Sequence, residues 1–156
     1  MSLEKVKEYF KQYNIERRIK ELDETSATCF LAAKALGTEE RRIAKSMGFL
    51  VKETPIIIVT SGDMKIDNSK YKHLFSVKAK MLTADELIKF IGHPVGGVCP
   101  FAVKENVKIY LDISLQRFET VFPACGSINS AIELTIPELE KYSHFEKWID
   151  VCKGKE

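Results

Sequence analysis

The sequence predicts an α+β fold, a single domain with a mixed, barrel-like β-sheet and surrounding helices. Segments with helical and strand periods intermingle along the chain, and at least two pairs of strand segments lie close enough in sequence to pair antiparallel. Both features fit a mixed sheet better than a doubly wound parallel one. A third observation sets the scale: 156 residues, 45% of them apolar, can bury one substantial core. Residues 1–156 therefore read as one domain, with no linker, repeat or low-complexity stretch.

The opening SLEKVKEYFKQYN carries Leu3, Val6, Tyr9, Phe10 and Tyr13 at helical spacing, which predicts an amphipathic helix with one face on the core. RRIKELD should then run into a strand. TSATCFLAAKALG predicts a second helix, with Thr25 or Ser26 as N-cap and Gly37 as a left-handed stop. In EERRIAKSMGFLV the expectation is a helical turn ending near Ala44 and a strand from Met47 to Val51, with Lys45 and Ser46 at the junction. PIIIVTSGDMKID reads as a buried strand closed by a turn at Ser61-Gly62-Asp63, and KYKHLF as a short helix. Thr83 and Glu86 form a capping box for LIKFI, which Gly92 ends. VKIYLDISL, RFETVFPA and NSAIEL read as further strands, the first two joined across Asp112 to Gln116. A second capping box, Thr135 to Glu138, begins the final helices.

Charge narrows the functional classes only slightly. With 24 basic and 22 acidic residues the chain does not coat a polyanion, but it can contact a short stretch of nucleic acid. Cys29, Cys99, Cys125 and Cys152 form no C-x-x-C pair and no secretory leader is apparent, which implies a reduced, cytoplasmic protein. The longest apolar run, PIIIV, is far short of the roughly 20 residues a membrane helix needs.

One loop stands out. GHPVGGVCPF, residues 92–101, holds three glycines and two prolines. Three readings compete: a plain turn, a metal or thiol site using His93 and Cys99, or a loop whose bare amides grip a ligand. His73, His93 and His144 show no metal-binding spacing, and neither Cys99 nor Cys125 has a base beside it in sequence. The loop also lacks the lysine and hydroxyl of a P-loop. Gly96 and Gly97 could bring unhindered N–H groups to a carbonyl oxygen, as an oxyanion hole does, with Pro100 fixing the exit. Lys45 has two readings of its own: an edge charge facing water, or a partly buried ammonium that holds a phosphate or an ester oxygen.

Lys45 in LGTEERRIAKSMGFLV, the GHPVGGVCPF loop, and the IYLDISL to ACGSINSAIEL tail, in that order and at that approximate spacing, resemble the YbaK and prolyl-tRNA-synthetase-insertion family of aminoacyl-tRNA deacylases. The resemblance covers nearly the whole chain. It implies a barrel-like mixed sheet and hydrolysis of tRNA mischarged with a small amino acid (Ala, Cys or Ser), on tRNA-Pro or tRNA-Cys, without metal or cofactor. It places Lys45 as the functional lysine anchoring the terminal adenosine, and Gly96 to Pro100, including Val98 and Cys99, as the G-x-x-x-P loop. Ser46 stands where the family often has a hydroxyl. Gly126 matches a glycine of the tail, Ser127 and Asn129 lie in a variable stretch, and Asp112 occupies a structural acidic position. The implied partner is the 3′ end of an aminoacyl-tRNA, with an aminoacyl-tRNA synthetase as a second candidate. Arg17, Arg18, Lys20, Arg41, Arg42, Lys70 and Lys72 offer a modest basic surface for the acceptor stem. The rival readings are a non-catalytic tRNA-, nucleotide- or synthetase-binding regulatory module, and a thiol enzyme built on Cys99 or Cys125.

Overall fold

The computed structural model describes residues 2–23 and 28–155. At its centre is a curled, mixed sheet of six strands. β2 (Ile43–Val51) and β3 (Thr54–Ser61) form its antiparallel middle, joined by a tight hairpin at Lys52 and Glu53. β5 (Lys108–Asp112) lies parallel to β3, and β9 (Lys147–Ile149) parallel to β5. On the other side β6 (Thr120–Pro123) runs parallel to β2, and β8 (Leu134–Thr135) closes that edge antiparallel to β6. Two small ribbons flank the sheet: β1 (Lys20–Glu21) with β7 (Ser130–Ala131), and β4 (Met64–Ile66) with β10 (Cys152–Gly154).

β3 is buried on both faces, which explains its unbroken β-branched run. Ile57 and Val59 point into one core with Leu111, Val121 and Leu134, covered by α1 (Ser2–Lys11) through Val6 and Phe10 and by α5 (Ile136–Ser143) through Leu139 and Tyr142. Ile56 and Ile58 point the other way, against Phe49 and Tyr71, the latter on α3 (Asn68–Phe75). Each fully buried side chain of this size contributes about 1.5–3 kcal/mol relative to exposure. Pro55 costs nothing in this strand: it faces Leu50, whose N–H goes to the Lys80 carbonyl at 3.0 Å.

Both capping boxes form. Thr83 caps α4 (Ala84–Glu86), which widens into a π-helical turn over Leu87–Ile91 before Gly92 ends it, and Thr135 caps α5. Gly37 stops α2 (Cys29–Leu36) in the left-handed region at φ 69°. The observed cap of α2 is Thr28, and the predicted caps Thr25 and Ser26 lie outside the described residues.

Four expectations need correction. β2 begins at Ile43, directly after a short 3₁₀ turn at Glu40–Arg42, so Lys45 and Ser46 sit inside the strand rather than before it. The strands within VKIYLDISL and RFETVFPA are not neighbours: a 3₁₀ turn at Ile113–Arg117 carries the chain across the sheet, and β2 and β3 lie between them. NSAIEL splits into two two-residue strands, β7 and β8. A single helix, α5, follows the second capping box, and β9 and β10 complete the described chain.

Candidate active site

A cleft of about 220 Å³ opens between β2 and the 92–101 loop. Lys45, Ser46 and Met47 of β2 form one wall, and Val95, Gly96 and Val98 face it. Thr28 and Cys29 at the start of α2 close one end, while Phe122, Ala124, Ser130 and Ala131 line the back. Two distant parts of the sequence thus meet, because β6 pairs with only the first two residues of β2 and leaves the strand beyond Ala44 to the cleft.

Lys45 is half-buried, not an edge charge facing water. Its Nζ donates to the Met64 carbonyl at 2.7 Å, and no carboxylate lies within ion-pair distance among the described residues. Burial pulls its pKa below the usual lysine value, opposed chiefly by the Cys29 sulfur. The single carbonyl leaves two ammonium protons for a ligand. Beside Lys45, the Ser46 hydroxyl is buried without a hydrogen-bond partner among the described residues.

The loop is held in one shape from beneath. Residues Pro94 to Gly97 form a β-turn closed by the Gly97 N–H on the Pro94 carbonyl at 3.0 Å, with Gly96 at φ 84°, where such a turn needs a positive value. Gly97 has a different reason to be glycine. A Cβ there would lie 2.6 Å from the Gly126 carbonyl carbon and the Ser127 nitrogen. The loop and the tail therefore pack backbone against backbone. Fully buried His93 is the loop's anchor: Nε2–H donates to the Phe101 carbonyl at 2.7 Å, leaving Nδ1 to accept the Ser2 hydroxyl. Burial lowers its pKa, so the neutral ring is favoured.

This geometry sorts the predicted site residues. Lys45, Ser46, Gly96 and Val98 line the cleft. Gly97 does not offer the amide expected of it, since Pro94 has already taken that N–H. The Cys99 thiol is fully buried among His93 and Phe101, with burial raising its pKa to about 12, and Cys125 is shifted well upward for the same reason. Neither supplies a thiolate to the cleft. Pro100 is buried behind the loop, and Gly126 packs against Ser2 at φ 95°. Asn129 spends its amide on the Leu22 carbonyl at 3.0 Å and accepts from Ser127 at the same distance. Behind the wall, Ser127 shares a 2.6 Å hydrogen bond with Ser130. Asp112 is structural, accepting the N–H groups of Ser114 and Val151, both at 2.9 Å.

Sequence reading missed Ser130, the buried hydroxyl on the cleft's back wall, and Cys29 at its end. The Ser-Ile-Asn-Ser run contained the signal for Ser130, but only the folded chain shows which serine is buried at the cleft. Much of the proposed basic surface is already committed. Arg18 forks onto Glu138 at 2.7 and 3.1 Å, Arg41 pairs with Glu39, Arg42 with Glu133, and Lys70 with Asp150. Among the described residues, no group of three or more His, Cys, Asp and Glu is placed to hold a metal ion, and no helix is long and apolar enough to cross a membrane.

The chain is thus a small α+β scaffold with a lysine-bearing cleft under a glycine loop. The family profile of the aminoacyl-tRNA editing domain matches residues 23–142, and the chain belongs to that family. It is 49% identical to YwhH of Bacillus subtilis (strain 168), with both chains covered completely. It is 29% identical to EbsC of Enterococcus faecalis, a proposed Cys-tRNA(Pro)/Cys-tRNA(Cys) deacylase, over 65% of this chain and 63% of that one. Against the proline–tRNA ligase of Thermotoga maritima it is 28% identical over 70% of its length but spans only 19% of the ligase. Among solved structures, a proposed trans-editing enzyme for prolyl tRNA synthetase superposes with a TM-score of 0.88 at 25% identity, covering 98% of both chains.

Proposed function

We propose that this chain is a trans-editing hydrolase that removes a small amino acid, alanine, serine or cysteine, from the 3′ end of mischarged tRNA-Pro or tRNA-Cys. The observation that carries the reading is Lys45: a half-buried ammonium, free of carboxylates among the described residues, in the same cleft as an open glycine turn. Such a charge suits a phosphate or ester oxygen. The names carried by EbsC and the proline–tRNA ligases support these two tRNAs. A tRNA substrate in translation also argues for the cytoplasm, and an aminoacyl-tRNA synthetase is a natural second partner.

In this reading Lys45 anchors the terminal adenosine and sets the ester against the loop, while exposed Met81 and Val95 at the mouth take the base and sugar. The N–H groups of Gly96 and Val98 have no acceptor among the described residues and can face the oxyanion. For water attack, the water oxygen bonds to the ester carbon, the bond to the ribose oxygen breaks, and the ribose hydroxyl regains a proton. Of the polar groups of the tail, Ser130 lines the cleft and is our candidate to hold that water, whereas Ser127 and Asn129 are bonded to each other and Asn129 to Leu22. With a cysteinyl substrate the substrate's own sulfur can bond to the ester carbon instead. The bond to the ribose oxygen breaks, the thiol's proton passes to the ribose hydroxyl, and cysteine leaves as a thiolactone that water opens.

The test charges one tRNA in turn with cysteine, serine and alanine and follows ester loss with EDTA-treated protein. Loss of the cysteinyl ester alone would restrict the enzyme to substrate-thiol chemistry, and rapid loss of alanine would exclude an obligatory substrate thiol. Tight binding of all three tRNAs without any ester loss would replace the hydrolase with a non-catalytic binding module.

A further inference from the structure

The side of β2 turned away from β3 has, among the described residues, a gap in its pairing one outward-facing residue long. In the β2–β3 hairpin the antiparallel alternation turns the main-chain groups of Lys45, Met47 and Phe49 towards β3, and those of Ala44, Ser46, Gly48 and Leu50 away from it. Two hydrogen bonds fix that parity, Leu50 N–H to the Lys80 carbonyl and Leu82 N–H to the Gly48 carbonyl, both 3.0 Å. Along this outward edge β6 covers Ile43 and Ala44, and the segment from Lys80 to Leu82 covers Gly48 to Leu50. Among the described residues no strand covers Ser46. Its N–H and carbonyl face outward between the two covered stretches, its hydroxyl is buried without a partner among the described residues, and it lines the cleft.

Resting on the deacylase reading, we propose that Ser46 recognises the free α-amino group of the aminoacyl ester through its main chain. The Ser46 carbonyl accepts a hydrogen bond from the α-ammonium, and the Ser46 N–H donates to the ester carbonyl. An aminoacyl ester carries these two groups at the spacing of one residue's N–H and C=O, so it fills the gap as a single antiparallel-paired residue. Pairing to an ammonium is charge-assisted and therefore stronger than a neutral strand bond. An N-acylated ester has lost that charge and carries bulk where the edge is narrow. Such a site separates freshly mischarged tRNA from tRNA whose amino acid is N-blocked or already part of a peptide.

The experiment uses the amino acid hydrolysed fastest, its α-hydroxy acid counterpart and its N-acetyl derivative, all esterified to one tRNA. Each single-turnover kcat/KM is divided by the uncatalysed hydrolysis rate in the same buffer, which removes the amine's intrinsic activation of the ester. The α-hydroxy ester keeps the size and loses the charge. It should fall about tenfold or more, and the N-acetyl ester further. Ser46→Ala removes only the hydroxyl, so the same ratios should persist in that variant. Equal normalised rates for the three esters would overturn amine recognition. Collapse of the ratios in Ser46→Ala would move recognition to the side chain and overturn the main-chain assignment. If none of the three is hydrolysed, the deacylase reading itself fails, and this inference falls with it.

Discussion

The two walls of the cleft are built in opposite ways. On β2, regular pairing with β3 holds the strand, so the outward groups of Ser46 and most of the Lys45 ammonium stay uncommitted. On the 92–101 loop no ladder exists among the described residues, and apart from the Gly96 and Val98 N–H groups much is consumed in holding the shape: the Gly97 N–H on Pro94, His93 between Ser2 and Phe101, the Gly97 backbone against Gly126. A strand can offer chemistry because its neighbour stabilises it. A loop must first stabilise itself, so substitutions on the first wall should register in rate and those on the second in stability.

The largest effect tests the strand wall. Lys45→Ala should cut single-turnover deacylation by about a hundredfold or more, the scale of losing one preorganised electrostatic contact, with little change in melting temperature. Near-wild-type turnover would remove Lys45 from the mechanism. On the loop wall, Gly97→Val forces a branched side chain into backbone 2.6 Å away. It should cost about 1–3 kcal/mol of stability, the range for overpacking, and lower turnover because Gly96 and Val98 move with it. A variant that melts normally but binds tRNA poorly would make the loop a docking surface instead.

His93→Leu sharpens the same contrast. It leaves the Phe101 carbonyl and the Ser2 hydroxyl without their ring partner, at about 1–3 kcal/mol for a buried unsatisfied group. It should also change the pH profile. Because the folded-state pKa of His93 is lowered, the unfolded chain binds the extra proton first. That contribution to stability is complete above the unfolded histidine value, near 6.5, and is lost as pH falls below it. Melting curves at pH 7.5 and 5 should therefore converge in the variant relative to wild type, and an unchanged difference would show that another group drives the acid sensitivity.

The smallest effect lies away from both walls. Arg18 holds the Glu138 carboxyl down at about 2, so the pair should stabilise the fold above the ordinary glutamate range and lose that contribution as pH falls towards 2. The pair is partly exposed, and Arg18→Ala should cost no more than about 1 kcal/mol near neutrality with deacylation unchanged. A large rate loss would instead bring Arg18 into tRNA contact.

Signals short in range were legible in the sequence. The capping boxes at Thr83 and Thr135 and the Gly37 stop each depend on residues within a few positions, and all formed. So did the buried strand at PIIIV, because a consecutive β-branched apolar run suits a strand with a core on each face. The order of β5 and β6 was not legible, since a 3₁₀ turn and a reversing hairpin look alike until the sheet assigns neighbours.

The same division runs through the site. Residue type, with the family resemblance, singled out a lysine, a glycine turn and a hydroxyl-rich tail as the candidates for chemistry, because few other residues can place a fixed positive charge or a bare amide. Only the tertiary structure decided which of their groups remain available. Hydrogen-bonding capacity is finite, and each partner is chosen in space: Pro94 takes the Gly97 amide, Leu22 takes the Asn129 amide, and Ser46 falls in the gap between β6 and the Lys80–Leu82 segment.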